Sequence, residues 1–215
     1  MPPDVVSLAQ RLDHFVVENE KTARRFLGAV KTTKPVRELS LRTLDEHTPE
    51  KDLPALLAPL LAGHDVGLLS EAGCPGVADP GANLVALCHR HGVRVVPLVG
   101  PSSILLALMA SGLDGQRFAF HGYLPADKAG RVDKLRELET ESRKHRQTQI
   151  FIETPYRNGH LLEDLVAHCH PATRLCVASN LTLDSERIIS RPVREWQQSP
   201  LPDLHKQPAI FLLLA

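Results

Sequence analysis

Three carboxylates stand where α/β proteins keep reactive groups. Glu18 and Glu153 close short apolar runs, and Asp79 lies in a glycine-rich turn. A carboxylate so placed can serve as a general base. It can equally cap a turn or pair with an arginine. His47, Lys128 and Arg157 are candidate partners for an anion or a hydroxyl. The densest pattern is Gly67 to Gly81, GLLSEAGCPGVADPG. The apolar run Val66 to Leu69 stops at Ser70-Glu71, and three glycines and two prolines follow. Apolar residues then recur at helical spacing: Leu84, Val85, Leu87 and Cys88. The spacing predicts strand, tight loop and helix. Loops at the carboxyl ends of parallel strands hold the ligands of open α/β sheets. Gly73 and Gly76 admit positive φ and a close approach to the backbone. A glycine-rich connection without a ligand is the plain alternative.

The neighbouring elements decide whether such residues meet. Val5 to Leu12 has helical spacing, His14 to Glu18 reads as a strand, and Lys21 to Gly28 as a helix. Lys21, Arg24 and Arg25, with Lys31, Lys34 and Arg37 nearby, form either a solvated helix face or a patch facing RNA. Thr48 and Pro49 are placed to start a helix over Asp52 to Leu61. A helix over Ala82 to His91 ends at Gly92, and Val93 to Val99 reads as the next strand. Gly100-Pro101-Ser102-Ser103 opens a helix to Ser111 that is apolar nearly all round, and therefore expected to be buried. Ser102 at its start is either a cap or part of an anion site on the helix N–H groups.

Asp114-Gly115-Gln116 is the expected domain boundary, giving domains of 1–115 and 116–215. The second half reads as strand (Phe118 to His121), charged helix (Ala129 to His145), strand (Thr148 to Ile152) and helix (His160 to His168). A strand over Leu175 to Ala178, a polar pair of strands about Arg187 to Arg191, and a final apolar strand, Ala209 to Leu214, complete it. The expected class is α/β with two lobes: a mostly parallel N-terminal sheet with helices and a mixed-sheet C-terminal lobe.

Lysine plus arginine and aspartate plus glutamate both number 25, so the formal net charge is zero. A protein that coats nucleic acid is normally basic overall, so any RNA contact must come from local patches. Cys74, Cys88, Cys169 and Cys176 form no C-x-x-C pair, and no metal site is expected. Cys88 and Cys176 read as small buried side chains. No signal peptide or long apolar run appears, which leads us to expect a cytoplasmic protein without a membrane partner.

Beyond periodicity, SEAGCPGVADPG resembles the S-D-A-G-T-P-x-x-S-D-P-G signature of the ribosomal RNA cytidine 2′-O-methyltransferases, within the tetrapyrrole methylase superfamily. Three more segments resemble that family in order: VRVVPLVGPSSILLALMASGL, FAFHGYLPADKAGR and QIFIETPYRN. The match is to a short branch in which EAGCPGVADPG and ETPYRN are typical. The resemblance implies a two-lobed fold, a cofactor cleft between the lobes, S-adenosylmethionine as cofactor and a homodimer. It implies methylation of a ribose 2′-hydroxyl in ribosomal RNA or the small ribosomal subunit. It also assigns Ala72, Gly73, Cys74 and Val77, with Ser102 and Ser103, to the cofactor from the first domain. Thr154, Asn180, Leu181, Pro208 and Ala209 match cofactor positions in the second. Members of the superfamily open with a strand and a P-T-P-I-G-N-like loop, and this sequence begins past that point. An N-terminal sheet with one strand fewer is therefore expected. The RNA methyltransferases also continue beyond the strand matching Ala209 to Leu214. A small-molecule methyltransferase and a non-catalytic cofactor-binding dimer scaffold are the alternative readings.

Overall fold

The computed structural model describes residues 1–215. They divide into two compact units, Met1–Ser102 and Ser103–Ala215.

In the first unit, α1 (Pro3–Arg11) leads to β1 (His14–Val17), α2 (Glu20–Val30) and β2 (Ser40–Thr43). Then come α3 (Leu53–Leu61), β3 (Val66–Leu69) and α4 (Gly81–Arg90). The sheet has order β2-β1-β3 and both pairings are parallel. Strict alternation sorts the faces of β1. Phe15 and Val17 pack with Ala23 and Leu27 of α2 and with Leu39. Val16 faces the other way, onto Leu53, Leu56 and Leu57 of α3 and Leu84, Leu87 and Cys88 of α4. α2 starts where Asn19 accepts the backbone N–H groups of Lys21 and Thr22, a side-chain cap that satisfies two free donors.

In the second unit, α5 (Ser103–Ser111) precedes β4 (Phe118–Tyr123), α6 (Lys128–His145), β5 (Thr148–Ile152) and α7 (Asn158–His168). β6 (Arg174–Ser179), β7 (Arg187–Pro192), α8 (Val193–Gln197) and β8 (Ala209–Leu214) complete it. The sheet order is β4-β5-β8-β6-β7. β4 and β5 are parallel, and β8 runs antiparallel to both β5 and β6. One face carries Phe151, Val177, Phe211 and Leu213 against Leu135, Leu138, Leu161, Leu165 and Trp196. The other carries Ile150, Cys176, Ile210 and Leu212 against Ala107 and Leu108 of α5. This is the expected combination of a parallel and a mixed sheet.

Five expectations are corrected. Val93–Val99 is not a strand. Val93 and Val95 pack on the α3–α4 cluster, but Val96, Leu98 and Val99 are exposed. No backbone hydrogen bond is made by the N–H groups of Arg94–Gly100. Alternation thus produced an extended segment without a ladder partner. α5 is not buried all round, because Leu105 and Met109 are exposed while only its Ala107–Leu108–Ser111 side is covered. That side packs on β6, β7 and β8, so α5 falls in the second unit and the division lies at Ser102–Ser103 rather than 115–116. Thr48 caps nothing in α3. Its hydroxyl bonds the Asp45 carboxylate at 2.8 Å, and a short 3-10 turn, Glu50–Asp52, leads into α3 instead. One strand, β7, replaces the polar pair expected about Arg187 to Arg191, because Pro192 ends it and α8 follows at once.

Candidate functional site

The loop after β3 is built by its own side chains. Asp79 Oδ1 accepts the N–H groups of Gly76 at 3.3 Å and Gly81 at 3.1 Å, closing the turn. The backbone turns through positive φ at Gly73 (+80°) and Gly76 (+79°), where glycine avoids the Cβ penalty. Ala72, Gly73 and Val77 are exposed. A Cβ built on Gly73 would meet no atom within 4 Å, so the backbone there is open to a ligand.

Two neighbours hold the loop. Glu18, just past β1, accepts the Glu71 N–H on Oε2 at 2.8 Å, and Thr22 of α2 donates its hydroxyl to Glu71 Oε1 at 2.8 Å. On the other side Cys74 Sγ donates to the Pro101 carbonyl at 3.6 Å. The loops after β3 and after Val99 therefore meet within the first unit, which brings Cys74 close to the chain entering Ser102. Loops converging beyond the carboxyl ends of parallel strands form the ligand crevice of such sheets.

In the second unit the candidates gather at one sheet end. β8 is antiparallel to β5 and β6, so its start lies beside their carboxyl ends, with Ser179 opposite Ala209. Asn180 N–H donates to the Pro208 carbonyl at 3.0 Å. Thr154, Asn180, Leu181, Pro208 and Ala209 thus share one edge. Asn180 takes a positive φ of 51°, and its amide donates to Gln207 Oε1 at 3.0 Å. Asn158 Nδ2 donates to the Gln207 carbonyl at 2.6 Å. Gln207 ties both asparagines to the loop before β8. Pattern reading passed over it, because a lone glutamine in a proline-rich stretch carries no periodic signal.

Each of the three carboxylates is engaged. Glu18 and Asp79 accept loop N–H groups. The Glu153 side chain is 1% exposed, and its Oε1 binds Arg157 at 2.7 Å and the Thr154 N–H at 2.6 Å. Burial opposes its ionisation, but the Arg157 guanidinium and the Thr154 N–H outweigh burial and hold the carboxyl below its usual range. A carboxylate held ionised this firmly is a weak proton acceptor. Glu153 Oε2 and Arg157 Nε are buried without a partner. His47 is 84% exposed beside Glu46. Lys128 lies 3.9 Å from Asp164, which is buried in a pair with Arg131 at 2.7 Å. That Arg131–Asp164 pair locks α6 to α7 and was not foreseen from the sequence.

The family model for tetrapyrrole (corrin/porphyrin) methylases matches residues 1–197. The chain belongs to this family. It is 41% identical over 155 residues to "Ribosomal RNA small subunit methyltransferase I" of Escherichia coli O157:H7, covering 72% of this chain and 53% of that protein. The protein of the same name from Vibrio cholerae is 39% identical over 152 residues, 71% of this chain and 51% of the relative. That from Xylella fastidiosa is 28% identical over 214 residues, 100% and 75% respectively. The chain thus spans about half the length of the first two relatives. Among solved structures, the methyltransferase CobJ superposes with a TM-score of 0.64 at 19% identity, covering 100% of this chain and 87% of that one. The cobalt precorrin-4 methyltransferase CbiF gives 0.62 at 15% identity, covering 100% and 88%. These structures share the tetrapyrrole methylase fold with this chain. Within that fold, no helix here is long and apolar enough to cross a membrane, and no group of three or more His, Cys, Asp or Glu could hold a metal ion.

Proposed function

We propose that the protein is an S-adenosylmethionine-dependent methyltransferase that methylates a ribose 2′-hydroxyl of ribosomal RNA. The observation carrying this reading is the open glycine loop after β3, held against the Pro101 carbonyl, in a chain of the tetrapyrrole methylase family. The relatives named for the small ribosomal subunit favour RNA over a small molecule.

When bound, S-adenosylmethionine supplies a methyl group made electrophilic by its positively charged sulfur. The exposed backbone and missing side chain at Gly73 fit a bulky ligand that needs polar backbone groups beside an apolar surface. Ala72, Gly73, Cys74 and Val77, with Ser102 and Ser103, would hold it from the first unit. Thr154, Asn180, Leu181, Pro208 and Ala209 would hold it from the second. The chain's main contribution to rate is alignment, since an activated donor requires little further chemistry. Glu18 is the best remaining candidate for receiving the hydroxyl proton, because only its Oε2 is occupied. Asp79 and Glu153 shape their loops. We further propose a cytoplasmic homodimer.

The test is transfer of tritiated methyl from S-adenosylmethionine to undermethylated small ribosomal subunits, followed by nuclease digestion to locate the label. Label on a ribose oxygen supports the reading. Heat of S-adenosylmethionine binding without any transfer to RNA would replace it with a small-molecule enzyme or a scaffold.

A further inference from the structure

The chain is neutral overall, but its charge is unevenly placed. Residues 20–43 carry seven basic and two acidic side chains, against eighteen and twenty-three in the rest. Three of the seven have partners, Arg37 among them, 3.7 Å from Glu38. Arg24 binds Glu20 at 3.1 Å and the Val36 carbonyl at 3.2 Å, and Lys34 pairs with Asp13. Lys21, Arg25 and Lys31 are exposed and have no carboxylate within 4.0 Å.

Lys21 and Arg25 share one side of α2, and Lys31 follows at its C-cap. Lys21 and Arg25 are one turn apart, and exposed Gly28 and Ala29 separate Arg25 from Lys31 at the cap. A Cβ on Gly28 would meet nothing within 4 Å, so the helix backbone is bare between the last two cations. From Lys21 to Lys31 the stripe runs about 15 Å at the ordinary helical rise. Lys31 holds a φ of 59°, a conformation glycine adopts at less cost, so a cation stands where the backbone favours none.

The stripe starts at the candidate site, because Thr22, in the same turn as Lys21, bonds Glu71 of the glycine loop. We propose that this side of α2 docks the phosphate backbone of the RNA substrate and guides it past the glycine loop. This rests on the ribosomal RNA reading above. Unpaired cations release counterions from a polyanion on contact, whereas the paired ones already face a carboxylate. The bare Gly28–Ala29 backbone lets the strand lie close.

The test compares the parent chain with a Lys21→Gln/Arg25→Gln/Lys31→Gly variant. Binding of a fluorescein-labelled small-subunit ribosomal RNA fragment is followed by anisotropy from 50 to 250 mM salt. Three lost phosphate contacts lower the slope of log K against log salt by about 2 to 3, at about 0.7 to 0.9 per contact. We expect that drop and at least tenfold weaker binding, with unchanged thermal midpoint and unchanged heat of S-adenosylmethionine binding. Lys31→Gly relieves the left-handed backbone, so the variant is not weakened there. An unchanged slope, or a parent that does not bind the RNA, overturns the docking face. Binding of the parent to phosphatidylserine vesicles but not RNA, lost in the variant, overturns it in favour of a membrane. If RNA binding falls as expected but no S-adenosylmethionine heat is seen even for the parent, the docking face stands and the methyltransferase reading fails.

Discussion

Substitutions at two glycines of the loop after β3 should separate binding from folding. Gly73 has a φ of +80°, and a Cβ there would meet nothing within 4 Å. Any L-residue at that position carries only the left-handed backbone cost, about 1 to 2 kcal/mol. For a chain of this size that is a fall in melting temperature of about 2 to 8 °C. Alanine and tryptophan share this cost, since the Cβ of each stands clear and the indole can point into the opening. They differ in what they leave for a ligand: Gly73→Ala adds one methyl, whereas Gly73→Trp fills the opening. Gly81 behaves in the opposite way. Its added Cβ would come within 2.8 Å of Leu68 Cδ2 and 3.2 Å of the Gly76 nitrogen. Gly81→Ala therefore overpacks the loop base at about 1 to 3 kcal/mol. Calorimetry gives both readouts, as melting temperature by scanning and S-adenosylmethionine heat by titration. Gly73→Ala and Gly73→Trp should melt together, with the heat lost only for tryptophan. Parental affinity in Gly73→Trp would refute the site. A Gly73→Trp melting point far below that of Gly73→Ala would refute the open geometry.

Other expectations follow from particular groups. Burial pushes the Cys169 thiol up to about 12 and that of Cys176 to about 11, and burial also raises Cys88. Ellman's reagent at pH 8 should therefore find one fast thiol, Cys74, in the native chain and four in urea, with Cys74 slowed by S-adenosylmethionine. Glu153 has a lowered native pKa, so its pairing stabilises the fold above the ordinary carboxyl value and is lost as pH falls through the lowered one. Arg157→Met leaves only the Thr154 N–H to oppose burial, and acid unfolding followed by circular dichroism should move to higher pH, with about 1 to 3 kcal/mol lost at neutrality. Arg131→Met strands the buried Asp164 carboxylate and should cost about 3 to 5 kcal/mol, read as a lower urea midpoint. The amides of Arg94–Gly100 should exchange deuterium near the intrinsic rate, and protection there would mean that the segment is paired.

Most helices and strands were legible because their apolar residues repeat at 3.6 or 2. β6, β8 and α7 came out within a few residues, with Leu175, Leu212 and Leu161 wholly buried as their pattern required. The failures share a cause. Alternation in Val93–Val99 states that two faces differ, but a strand also needs a neighbour to bond, and periodicity says nothing about neighbours. The all-apolar α5 misled for the same reason: composition gives the capacity for burial, while coverage depends on what packs there. The glycine loop was legible through its residue types. Its support was not, because Glu18 to Glu71 spans 53 positions, and neither was the Asn158–Gln207 tie of the second unit, which spans 49.

The two units give their candidate residues very different support. In the second, β8 lies between β5 and β6, with an apolar cluster on each face of the sheet, so Asn180 and Ala209 sit on the most buried framework in the chain. In the first, β3 bonds to β1 alone, and all four of its residues are only half-buried. The loop that would grip the cofactor therefore hangs from an edge strand with no fully buried residue. Segments with few buried contacts open locally at low free energy, and binding loops come from that end of the range. A ligand that binds only the closed loop adds RT ln(1 + [L]/Kd), about 2.7 kcal/mol at a hundredfold excess over Kd. That gain should appear where stability is lowest. Deuterium exchange with saturating S-adenosylmethionine should slow most in β3 and residues 70–81, and hardly at all in β8. Equal slowing in both sheets would mean that the loop was already firm, and the argument from its sparse burial would fall.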